Sequence, residues 1–240
     1  MRKGLVIVVV VAIAAALGVL AQRRLGTTTA HAAAPLAVAA ARAAPAAAAS
    51  AAPGAAEEPK AADPVIPDTL PQFQLADRDG RKRSLGEWKG HPLMVNYWAS
   101  WCGPCRREIP LLNQLRSEHK AQKLEIVGIA VDFRDDVLQY VKDNPISYPL
   151  LIGEEDGLAA VHAMGVQQEA FPFTVFADSR QRILALKFGE LHKDEAELIL
   201  DHLAQVDAGT LALPAARQQI TEGLKDLATK RAASAPAKSG

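Results

Sequence analysis

The chain has 240 residues and no formal net charge; 49% of its residues are hydrophobic but only 5% are aromatic, the gap being filled by alanine. Residues 65 to 205 hold 16 Lys and Arg against 21 Asp and Glu, which lacks the basic footprint that a phosphate backbone requires, so nucleic acid is excluded as a partner. With Cys102 and Cys105 as the only two cysteines, neither a multi-disulfide scaffold nor a four-cysteine metal site can form within one chain.

In chain order, Met1 to Lys3 is basic, and Leu5 to Ala21 is an uninterrupted apolar or small run followed by Gln22, Arg23 and Arg24. As a helix that run reaches about 25 Å, just long enough to cross a bilayer when the flanking arginines snorkel. Residues 1–29 therefore read as a membrane anchor or a cleaved signal segment, and the length of the run favours the anchor. Either one carries the rest of the chain across a membrane. Residues 30–64 form an Ala/Pro-rich linker, with 20 alanines in positions 30 to 62 and prolines at 35, 45, 53 and 59 that oppose a continuous helix.

Residues 65–205 read as one domain of ordinary size. Phe73 to Leu75 alternates, Asp79-Gly80 is a turn, and Arg81 to Ser84 can return as the second strand of a hairpin. Ser84 with Glu87 suits a capping box on a short helical turn. Pro92 to Ala99 has the apolar continuity of a strand buried on both faces, and a helix is expected from about Cys102 to Lys120. Leu124 to Val131 is a second buried strand. A helix over 132–142, a strand over 148–152 and a helix over 154–164, stopped by Gly165, follow. Phe173 to Ala177 and Ile183 to Phe188 are strands, and Lys193 to Gln205 is an amphipathic helix. Such alternation implies an α/β mixed central sheet with helices on both faces. Residues 206–240 read as a C-terminal helix over 213–229, carried by Ile220, Leu224 and Leu227, and a flexible tail frayed from Lys230.

The chemistry is concentrated in Trp101-Cys102-Gly103-Pro104-Cys105, directly after the first buried strand. Two cysteines three apart on the first turn of a helix share a face and can close a small disulfide ring. The free amides and positive dipole end of that helix favour a thiolate on Cys102, which makes it the attacking sulfur. Cys105, one turn deeper, would then attack Cys102 and release reduced substrate. The six histidines have no ligand spacing, so neither a metal nor any cofactor beyond the cysteine pair is expected.

The run Val95-Asn96-Tyr97-Trp98-Ala99-Ser100-Trp101-Cys102-Gly103-Pro104-Cys105-Arg106-Arg107-Glu108-Ile109-Pro110 resembles the active-site strand and helix of the thioredoxin superfamily. Within it, the run is similar to the TlpA/ResA-like branch of membrane-anchored thiol-disulfide oxidoreductases. The resemblance covers residues 66 to 205 and implies a thioredoxin fold with an N-terminal β-hairpin and a central strand-helix insertion near 146 to 165. It also implies that Pro172 is a cis-proline beside the cysteines, turning the backbone of Phe171 toward a substrate peptide. Trp101, Gly103, Pro104, Phe171 and Pro172 are then the substrate-binding set. Glu108 falls where this branch places an acid that acts on the cysteines; the alternative is a solvated helix glutamate. Asn96 stands where cytoplasmic thioredoxins carry a buried aspartate, which moves proton transfer to Glu108 or to water. Arg106 and Arg107 read as exposed helix arginines, Trp98 as core and Trp101 as cover for the active-site edge.

The implied activity is an extracytoplasmic protein-disulfide reductase on a bacterial cytoplasmic membrane, with a disulfide-bearing client protein and a membrane thiol electron donor as partners. The implied clients belong to the maturation of cytochrome c or another metalloprotein. A disulfide oxidase or isomerase, and a redox-inert binding module holding a closed disulfide, stay open as alternatives.

Overall fold

The computed structural model describes residues 66–167 and 170–234. The expected anchor and linker lie outside these residues. No helix among the described residues is long and apolar enough to cross a membrane.

Seven strands form one sheet: β1 (Leu75–Asp77), β2 (Lys82–Arg83), β3 (Leu93–Trp98), β4 (Glu125–Val131), β5 (Leu150–Gly153), β6 (Phe173–Ala177) and β7 (Ile183–Phe188). The helices are α1 (Gly103–Glu118), α2 (Arg134–Asp143), α3 (Glu155–Ala163), α4 (Lys193–Asp207) and α5 (Leu213–Ser234). The strand order is β2-β1-β5-β4-β3-β6-β7, so β3, which precedes the cysteines, lies well inside the sheet. It pairs parallel with β4 and antiparallel with β6. The carboxyl ends of β3, β4 and β7 and the start of β6 therefore meet at one end of the sheet.

All six residues of β3 are buried because both of its faces are covered. Met94 and Trp98 face a core formed with Ile109, Leu112 and Leu115 of α1 and Ala196, Ile199 and Leu203 of α4. Leu93, Val95 and Tyr97 face the opposite core, with Ala160, Val161 and Met164 from α3 and its C-terminal turn. This is the mixed sheet with helices on both faces that the alternation of elements predicts.

Several expectations shift. The first strand begins at Leu75 rather than Phe73, and its turn spans Arg78 to Gly80, with Gly80 at φ +83°, a backbone conformation that suits glycine. Asp77 closes that turn, its Oδ1 accepting from the amides of Asp79 and Arg81 at 2.9 Å each. Glu87 caps the following 3-10 turn (Leu85–Trp88) by accepting from the Ser84 amide at 2.9 Å. The largest correction is at the C-terminus, where α5 runs five residues past the expected 213–229, so Lys230 to Ser234 is helical and not frayed. The physical reason is tertiary: Ala216 and Ile220 are buried in the core shared with α4, and Arg231 forms ion pairs with Asp194 and Glu195.

Candidate active site

Cys102 is the N-cap of α1 and Cys105 lies in its first turn, and the two form a disulfide with Cα atoms 5.3 Å apart. Cys102 Sγ accepts a hydrogen bond from the Cys105 amide at 3.2 Å, one of the helix donors that otherwise lack a partner. Cys102 is 5% exposed and Cys105 not at all. Only the first sulfur can therefore meet a bulky partner, and the second is placed to attack it from within. Pro104, with no amide hydrogen to satisfy, fits the first turn; Gly103 is exposed and Pro104 half-buried.

The turn between β3 and α1 is held from the next strand. Asp132, just after β4, accepts from the amide and hydroxyl of Ser100 at 2.8 and 2.6 Å through Oδ2, and from the Phe133 amide at 2.8 Å through Oδ1. Sequence reasoning missed this clamp. Its one signal is an acid at the end of a buried strand.

Glu108, one turn after Cys105, is 1% exposed, which rules out the solvated alternative. Its Oε1 accepts from Asn96 Nδ2 at 2.7 Å and its Oε2 from the Leu191 amide at 2.7 Å. Asn96 Nδ2 also donates to Thr174 Oγ1, at 3.0 Å, and Asn96 and Thr174 are register partners across β3 and β6. Burial pushes the Glu108 carboxyl up to about 7, against the two hydrogen bonds, which favour the charged form; the nearby charges of Glu190 and Lys187 act in opposite directions. Such a group exchanges a proton near neutral pH. Thr174 and Leu191 carry no sequence signal for this role, because each is brought to Glu108 from far along the chain.

The Phe171–Pro172 peptide bond is cis. The Pro172 carbonyl accepts from the Gly189 amide at 2.8 Å, which ties the start of β6 to the end of β7. The Trp101 ring stands edge-on to Phe171 with centroids 6.2 Å apart, and Phe171 stacks toward the buried Phe173, which in turn lies 5.7 Å from Phe188. Four large hydrophobics stand exposed among the described residues, and three of them, Trp101, Phe133 and Phe188, lie at the cysteine end of the sheet. Trp101 and Phe171 belong to the expected substrate-binding set; Phe133 and Phe188 do not. Arg106 lies over the Tyr140 ring at 5.4 Å, and Arg107 pairs with Glu190 at 2.5 Å.

The structure thus brings Cys102, Cys105, Trp101, Gly103, Pro104, Phe171 and Pro172 to one end of the sheet, with Glu108 buried behind them. Among the described residues no group of His, Cys, Asp or Glu is arranged to hold a metal ion.

Residues 66–208 match the AhpC/TSA family. The chain is 26% identical over 143 residues to the thiol-disulfide oxidoreductase ResA of Geobacillus thermodenitrificans, covering 59% of this chain and 78% of that protein. It is 31% identical over 135 residues to the thioredoxin-like protein YneN of Bacillus subtilis, covering 55% and 76%. Among solved structures, a candidate thiol:disulfide interchange protein DsbE from Chlorobium tepidum superposes with a TM-score of 0.52 at 25% identity, covering 58% of this chain and 96% of that one.

Proposed function

This chain belongs to the AhpC/TSA family, is a TlpA/ResA-like thioredoxin-superfamily thiol-disulfide oxidoreductase, and on that premise we propose that it reduces protein disulfides on the extracytoplasmic side of a membrane. The observation that carries the reading is the unequal exposure of the two cysteines, 5% for Cys102 and none for Cys105, on a face rimmed by aromatic rings. Such a face suits a polypeptide laid across it.

In the reduced protein the Cys102 thiolate attacks one sulfur of a client disulfide. A Cys102–client bond forms, the client S–S bond breaks, and one client thiolate leaves. Cys105 then gives its proton to the Glu108 carboxylate and attacks Cys102. The Cys102–Cys105 bond forms, the mixed disulfide breaks, and the second client sulfur leaves with its electron pair. Two electrons have passed from the dithiol to the client. A membrane dithiol donor restores the pair by the same exchange in reverse, itself becoming a disulfide. Residues 1–29 supply the anchor in this reading, on the strength of their sequence. The clients are apoproteins whose cysteines must be reduced before haem or metal attachment, a class suggested by the resemblance alone.

The test uses the full chain with Cys105→Ser. Cys102 is expected to hold a client as a mixed disulfide, identified by mass spectrometry, and Cys102→Ser to hold none. The wild-type protein should reduce insulin, and its cysteine pair should have a midpoint potential of about −270 mV, whereas a value of about −120 mV would assign an oxidase instead. Equal trapping by both variants, with no insulin reduction, overturns the reading in favour of an inert disulfide.

A further inference from the structure

The family match ends at residue 208 and α5 begins at Leu213, yet the far end of α5 returns to the segment that holds Glu108. Glu195, 3% exposed in the first turn of α4, is the junction. Its Oε1 accepts from Arg231 Nη1 of α5 at 2.9 Å. Its Oε2 accepts from the His192 amide at 3.1 Å and lies 3.5 Å from Lys187 Nζ. Lys187 Nζ in turn donates to the carbonyls of Phe188 and Glu190 at 2.8 and 3.5 Å. Arg231 Nη2 adds contacts at 2.9 and 3.1 Å to the Asp194 carboxylate. Segment 188–192 is therefore fixed from both sides, and in its middle the Leu191 amide donates to Glu108 Oε2 at 2.7 Å.

We propose that α5 is a strap on the active site: Arg231, acting through Glu195, keeps segment 188–192 seated so that the Leu191 amide stays on Glu108. Arg231 is thus a positioning residue for the proton-handling carboxylate, and the proposal rests on the role given to Glu108 above. The physical ground is that a buried carboxylate stripped of one cation is left under-compensated, so Glu195 and the turn it caps must rearrange. The charged and titratable groups that face Glu108 are Lys187 of β7, Glu190 of the segment itself and Tyr148 ahead of β5, and the cysteine pair precedes it by one turn on its own helix as a disulfide; Asn96 and Thr174 are neutral. Arg231 is not among them, so it acts through the backbone it holds.

A matched control exists on the same helix. Arg217 donates from Nε and Nη2 to the Ile183 carbonyl at 3.0 and 2.6 Å and pairs with Asp68 at 3.1 Å, at the opposite end of β7. The experiment follows the Glu108 carboxyl by carbon NMR in the full chain, together with insulin reduction against pH. Arg231→Met is expected to raise the Glu108 midpoint by about half a pH unit, about threefold in proton affinity, because a donor to the charged form is loosened. Arg217→Met should leave the midpoint unchanged, and Arg231→Lys, with fold checked by circular dichroism, should restore part of the wild-type value. An unmoved midpoint in Arg231→Met, or an equal movement in Arg217→Met, overturns the strap. A moved midpoint that insulin reduction does not follow upholds the strap and overturns the role assigned to Glu108.

Discussion

Asn96 and Glu108 meet side chain to side chain inside the protein, the amide of a central strand donating to a carboxylate of the active-site helix at 2.7 Å. Both are almost fully buried, at 0% and 1% exposure. Asn96 brings no charge of its own, so in the proposed mechanism the proton near the cysteines falls to Glu108 and to what solvates it. The polar contacts are few, and desolvation outweighs them.

Glu108→Gln should remove a pH dependence. The carboxyl is held up to about 7, so it can accept the Cys105 proton only above that value, and resolution of a mixed disulfide by the wild type should quicken as pH rises through about 7. Stopped-flow release from a preformed mixed disulfide should lose this inflection in the variant and slow by about tenfold or more. The sign for stability is opposite. The folded protein keeps the proton until about pH 7 whereas the unfolded chain releases it near 4.5, so stability falls as pH rises between those values, by about 3 kcal/mol. Urea denaturation of the oxidised variant should lack that slope.

The aromatic rim should separate protein clients from small ones. Phe188 is 42% exposed and Trp101 67%, so replacing either by serine should change stability by only about 0.5 kcal/mol. Insulin KM should nevertheless rise about fivefold to tenfold, while the rate with a small aliphatic disulfide stays unchanged, because only a polypeptide spans the rim. Equal losses on both substrates would show that the rings shape the turn around Cys102 and do not bind client.

Asp132→Ala should loosen the turn that leads into Cys102. The carboxylate satisfies two donors of Ser100 and one of Phe133, and its loss leaves them without an acceptor at a site 6% exposed. A stability loss of about 1–3 kcal/mol is expected in urea, with Asp132→Asn losing less because an oxygen remains to accept. A variant as stable as the wild type would show that water replaces the carboxylate at no cost.

The order of elements, the two buried strands and the chemistry of the cysteine pair are legible in the chain before any fold is known. These depend on local pattern: continuous apolar runs for strands covered on both faces, and a cysteine pair one turn apart at a helix start, where geometry and dipole act within a few residues. The environment of those groups comes from packing instead. Whether Glu108 is a solvated acid or a carboxyl titrating near neutral pH depends on Asn96, Thr174 and Leu191, the last of them 83 residues away, because burial is set by what packs on a side chain and not by its neighbours in sequence. The C-terminal helix makes the same point: α5 has few apolar residues and reads as a short helix with a loose end, yet Ile220 in the core and Arg231 on Glu195 fix it along its length.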